Sequence, residues 1–221
     1  MERIKTAQYQ GGAGLIDCAL DWPEENQPVI GWALVLHPHP LHGGARNNKV
    51  VTTMSRAATQ LGLVVVRPDF RGVGLSEGSF DEGRGESADM QALVQQFSEQ
   101  YPTIAAGHFA LGGFSFGSSI AAQLYSLLAQ SGQRTPESLV LAGSAVARFR
   151  HLPELVVPDF TYLVHGETDD VVPLSEGMDF AKEHDLAVSV IPDTGHFFHG
   201  KLILLRELVG QQWQLGLLRL Q

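Results

Sequence analysis

The chain has 221 residues, 44% of them hydrophobic and 18% charged, with 24 acidic against 15 basic side chains and a formal net charge of −9. That length allows one core of good size, and the composition is that of an ordinary globular protein, so one domain over 1–221 is expected and disorder is excluded. The acidic balance, with no basic run longer than two residues, argues against a nucleic-acid partner, because phosphate binding draws on clustered Lys and Arg.

Cys18 is the only cysteine, so neither an intrachain disulfide nor a thiolate metal cage can form, and a reducing compartment is expected. The opening "MERIKTAQYQ" has no apolar stretch of the leader type, and nothing approaches the length of a membrane span. These points set the expectation of a cytoplasmic protein with no membrane contact, a monomer or homodimer.

In chain order, "IKTAQYQ" and "GLIDCALDW" flank the turn "GGAG" and read as an antiparallel hairpin at a sheet edge. "VIGWALVLH" (29–37) reads as a strand, "NNKVVTTMSRAATQL" as a helix, and "LVVVRPDF" (63–70) as a strand ended by Pro68. "ESADMQALVQQFSEQY" predicts a helix stopped by Pro102, and "HFALGGF" a strand leading into the helix "SSIAAQLYSLLAQ". In that helix Ile120, Leu124, Leu127 and Leu128 form one apolar stripe. Strands near 138–145, 160–166 and 187–191 follow, with a helix over 174–186 between the last two, and the tail "WQLGLLRLQ" is expected to pack on the core as a final helical turn, the alternative being contact with a partner chain. Short apolar strands alternating with amphipathic helices define an α/β chain with a mainly parallel sheet covered on both faces.

The pattern Gly-x-Ser-x-Gly occurs twice, as "GFSFG" around Ser115 and as "GLSEG" around Ser76. A nucleophilic serine of this kind needs a strand behind it and a helix ahead, so that a tight turn projects the hydroxyl towards free helix amides. Ser115 has both. Ser76 has neither and reads as a loop residue. A serine hydroxyl needs a base oriented by a carboxylate. "HGETDDVVP" follows a predicted strand and offers Asp169 and Asp170, and "PDTGHFFHG" follows the last strand and offers His196.

Taken in order, "HPHPLHGG", "DFRGVGLSEG", "GFSFG", "HGETDDVVP" and "GHFFHG" resemble the α/β-hydrolase superfamily, and within it the small dienelactone-hydrolase-like esterases. The resemblance runs from about Leu34 to Gly200. It implies an α/β-hydrolase fold with a mainly parallel eight-stranded sheet and a triad of Ser115, Asp169 and His196 at the carboxyl ends of the strands. Asp169 is the implied acid, three residues after Gly166, and Asp170 the reserve. Dienelactone hydrolases proper use a cysteine where this chain has Ser115, so their substrate does not carry across.

Two amides must meet the oxyanion of an acyl transfer. One is expected from Phe116 and the other from the loop after the 29–37 strand, where Pro38 and Pro40 have no N–H and leave His39, preferred, or Leu41. Leu41, Phe197 and Phe198, with the Phe116 ring, are the candidate substrate contacts. The gap between the strands near 138–145 and 160–166 is too short for a sizeable lid, which suits small to medium acyl groups. The reading is a cofactor-free serine esterase. Two alternatives stand beside it: a metal-dependent hydrolase using His37, His39 and His42, whose spacing resembles part of a zinc ligand set, and an inactive binding module on the same fold.

Overall fold

The computed structural model describes residues 4–220, so the first three residues of the stretch expected to lack a leader, and Gln221 of the tail, lie outside it. Strands β1 (Ile4–Gly11) and β2 (Gly14–Asp21) form the edge hairpin, and β3 (Gly31–Leu36), helix α1 (Lys49–Gln60) and β4 (Leu63–Pro68) follow. Next come α2 (Arg84–Gln100), the short α3 (Pro102–Ala105), β5 (His108–Phe114) and α4 (Phe116–Gln130). The remainder is β6 (Ser138–Ala142), the short α5 (Val146–Phe149), β7 (Tyr162–Gly166), α6 (Leu174–Glu183), β8 (Val188–Ile191) and α7 (Leu202–Leu217).

The eight strands make one sheet in the order β1-β2-β4-β3-β5-β6-β7-β8. Pairings β1/β2 and β2/β4 are antiparallel and all others parallel. This is the mainly parallel α/β-hydrolase architecture that the sequence resembles. Between β6 and β7 only α5 intervenes, so there is no large lid.

Both faces of the sheet are buried, which is why its central strands read as unbroken apolar runs. Along β3, Trp32, Leu34 and Leu36 join the core layer formed with α2 and α4 (Met90, Leu93, Phe97, Ile120, Leu124, Leu128). Ala33 and Val35 point the other way, into the layer formed with α1 and α7 (Val50, Met54, Leu205, Val209, Trp213). The period of two along one strand thus places helices on both sides.

Several boundaries fall inside the predicted ones. β6 stops at Ala142 because Gly143 turns the chain with φ 53°, and β7 starts only at Tyr162 because Thr161 closes a turn, its amide donating to Pro158 at 3.0 Å. The tail is more than one turn. It is the end of the sixteen-residue α7, anchored by Leu205, Val209 and Trp213 at four-residue spacing.

Candidate active site

Ser115 lies between β5 and α4 with φ 55° and ψ −122°, a backbone state that a residue with a side chain adopts only when its surroundings enforce it. Two glycines permit the turn. A Cβ on Gly113 would stand 2.0 Å from the Gly117 carbonyl oxygen, and one on Gly117 would stand 2.4 Å from that of Leu36 and 2.6 Å from that of His37. The elbow is therefore packed backbone to backbone under the end of β3. The first amides of α4, from Phe116 onwards, have no acceptor within their own helix.

His196 comes from the loop after β8. Its Nε2 is 2.9 Å from Ser115 Oγ, and its Nδ1 is 2.7 Å from Asp169 Oδ2. All three side chains are nearly buried. The imidazole packs on Phe114 at a centroid distance of 4.8 Å and on Phe197 at 5.1 Å, and a Cβ on Gly143 would press to 3.2 Å from its Cε1. The two loops that carry Asp169 and His196 lie against each other. Thr168 N–H donates to Thr194 O at 3.0 Å, and Gly166 has no side chain where one would meet that same oxygen at 2.2 Å.

Asp169 Oδ1 accepts the amides of Val171 at 3.0 Å and Val172 at 2.8 Å. Burial alone would raise its pKa, but donors from His165, His196 and the Val172 amide outweigh that and hold the carboxyl well below the usual carboxylate range. Asp170, the reserve acid, is exposed, and it is Asp169 that pairs with the imidazole. His165 sits 3.3 Å from Asp169 Oδ2 through its Nε2. The sequence reading missed it, although its place at the end of β7, four residues before Asp169, was a usable signal.

The loop after β3 carries three histidines with separate surroundings. His37 is fully buried, donates from Nδ1 to Pro38 O at 2.6 Å and accepts the Phe70 amide on Nε2 at 2.9 Å. Burial brings its pKa down to about 4. Both nitrogens are thus engaged with backbone, so the ring is not a metal ligand as the alternative reading required. His39 and His42 stack at 4.4 Å, and among the described residues no group of three His, Cys, Asp or Glu is placed to hold a metal ion. The His39 ring lies against Phe80, Phe116 and Phe149, two of which the sequence reading had not connected with the site.

Of the candidate substrate contacts, Leu41 is 69% exposed and Phe197 42% exposed. Phe198, expected to contact substrate, is not accessible to it. It is fully buried in the α1/α7 core layer against Phe114, and the Phe116 ring is likewise closed off in the aromatic cluster. The chain reverses at Phe198 with φ 54°, which turns that ring inwards. Ser76 is buried too: its hydroxyl donates to Asp69 O at 2.7 Å and accepts the Asp17 amide at 2.9 Å, so it staples a loop to β2.

No protein-family model matches the chain. Among solved structures it is similar to an α/β serine hydrolase without lid from Xanthomonas campestris, with 32% identity, coverage of 97% of this chain and 95% of that one, and a TM-score of 0.85. An α/β serine hydrolase homologue from Coxiella burnetii shares 34% identity over 94% of this chain and 96% of that one, with a TM-score of 0.80. An uncharacterized protein from Rickettsia prowazekii is 34% identical over 190 residues, 80% of this chain and 74% of its own length. The chain belongs to the α/β-hydrolase superfamily. It is a hydrolase.

Proposed function

We propose that this hydrolase cleaves carboxylic ester bonds of small to medium acyl substrates through Ser115, His196 and Asp169, by way of an acyl-enzyme. The observation that carries the reading is the unbroken chain from hydroxyl to imidazole to carboxylate, 2.9 Å and then 2.7 Å long. His196 Nε2 takes the proton of Ser115 Oγ as the oxygen attacks the ester carbonyl carbon, and Asp169 holds Nδ1–H and offsets the imidazolium charge. The tetrahedral intermediate collapses as His196 gives that proton to the leaving alkoxide, which departs as the alcohol. Water then enters, loses a proton to His196, attacks the acyl carbon and releases the acid with Ser115 restored.

The oxyanion would be received by the amides of Phe116 and His39, each such donor being worth about 3 kcal/mol of barrier. Choosing His39 over Leu41 is supported by the Leu41 amide being occupied by His39 Nδ1 at 3.2 Å. Leu41 and Phe197 would flank the acyl or alcohol group at an uncovered rim, which favours compact esters over long lipid chains. No helix among the described residues is long and apolar enough to cross a membrane. We place the protein in the cytoplasm, as one domain acting alone or as a homodimer, and without a cofactor.

The test is hydrolysis of a p-nitrophenyl ester series by wild type and Ser115→Ala, with and without chelator. Turnover highest on short acyl chains, indifferent to EDTA and abolished in Ser115→Ala is expected. Activity that survives Ser115→Ala, or that EDTA removes and zinc restores, contradicts the proposal.

A further inference from the structure

The acid in this reading is approached by a second imidazole. His165 closes β7 and is fully buried. Its Nε2 is 2.8 Å from Val172 O and 3.3 Å from Asp169 Oδ2. A carbonyl oxygen can only accept, so Nε2 carries the hydrogen, and the lone pair of the neutral ring is on Nδ1. Nδ1 is buried and has no hydrogen-bond partner among the described residues. Helix α6 backs directly onto it: a Cβ on Gly177 would come within 2.9 Å of that nitrogen. Flipping the ring would put Cε1 in place of Nε2 and forfeit both oxygens, and the other tautomer would turn a lone pair on them. The slot therefore admits one tautomer and one orientation.

We propose that His165 is a positioning residue for ester cleavage, directing its Nε2–H at Val172 O and, on a longer arm, at Asp169 Oδ2, so that the carboxylate is fixed in place for His196. The proposal rests on Asp169 being the acid of the reaction. Val172 donates its amide to Asp169 Oδ1 while its carbonyl receives His165, so one residue of the loop is held by both partners. A carboxylate held from both sides keeps Oδ2 aimed at His196 Nδ1, 2.7 Å away. The other charged groups facing the pair are Arg148 on α5, whose Nη1 donates to Val171 O at 2.8 Å, and Glu176 on α6, which pairs with Arg148. Both stay in place when only His165 is changed.

His165→Phe keeps a flat ring and removes the N–H, and His165→Gln returns an N–H near the position of Nε2. With a short p-nitrophenyl ester, His165→Phe is expected to lower kcat about tenfold at unchanged KM, the scale of one hydrogen bond lost from the transition state. His165→Gln, which keeps an N–H donor, should bring most of kcat back. A folded His165→Phe enzyme with wild-type kcat, or with a loss confined to KM, or a glutamine variant that does not restore kcat, overturns the proposal. If His165→Phe does not fold, nitrogen-15 spectra of the wild-type protein decide it: Nδ1 without hydrogen and Nε2 with it is expected, and the reverse tautomer refutes it. Absence of ester turnover in wild type would instead strike at the proposed function, while the tautomer would still be read independently.

Discussion

Replacing His37 by glutamine removes a titrating ring from the loop that would supply an oxyanion donor, and its effect on stability can be worked out from the structure. The ring is fully buried, with one nitrogen donating to Pro38 O and the other accepting the Phe70 amide, an arrangement that only the neutral form can make. Folding therefore lowers its pKa from 6.5 to about 4, chiefly through burial. Between those two values the unfolded chain binds a proton that the folded chain excludes. The stabilisation is fully present above pH 6.5 and falls as the pH drops towards 4. At no more than about 1.4 kcal/mol per pH unit, and less near either pKa, lowering the pH from 6.5 to 4.5 removes about 2 kcal/mol. Glutamine can still accept the Phe70 amide but does not titrate, and Asp69 and Arg46, the charged neighbours, are common to both proteins. Urea unfolding at pH 7, 6, 5 and 4.5 should show wild type the more stable at pH 7, with the gap closing by about 2 to 3 kcal/mol at pH 4.5. A gap constant to within about 0.5 kcal/mol over that range would refute the assigned tautomer and its environment.

Gly117→Ala sets a methyl 2.4 Å from the Leu36 carbonyl oxygen, so α4 and the end of β3 must separate. Ester turnover is expected to fall at least about a hundredfold, the order found when an oxyanion donor is misplaced, and near-normal kcat would disprove the close packing. Asp169→Asn should lower kcat by about ten-thousandfold through loss of the correct imidazole tautomer, whereas Asp170→Asn should leave steady-state rates within about twofold, because that side chain is exposed and the ring pairs with Asp169 instead. Trp213→Ala, at a site 1% exposed, should destabilise the fold by about 3 to 5 kcal/mol in urea titration. A loss below about 1 kcal/mol would mean that α7 is not a core helix.

Much of this site was legible in the sequence because its parts follow strands. Ser115 needs glycines before and after it, Asp169 and His196 each come just beyond an apolar run, and two prolines restrict which amide of the β3 loop is free. Those are local constraints, visible in one dimension. What escaped was set by packing across distance. His165 was hidden because its partners depend on how the loop after β7 folds back, and Phe80 and Phe149 because they reach His39 only through tertiary contact. Phe198 was misplaced because two adjacent phenylalanines in a loop look alike, and only the positive φ at 198 sends one ring into the core while Phe197 stays at the rim. The length of α7 was underestimated for a related reason: "LILLREL" is apolar on every side, with Ile203 68% exposed, so no amphipathic stripe announced its start.

The most direct measurement is reaction with a fluorophosphonate followed by peptide mass spectrometry. An activated hydroxyl attacks phosphorus and expels fluoride, so one phosphonyl group is expected on Ser115, none on Ser76, and a rate of labelling that collapses in His196→Ala. Labelling that is absent, that falls on Ser76, or that proceeds equally fast without the imidazole would contradict the central claim that His196 makes Ser115 a nucleophile.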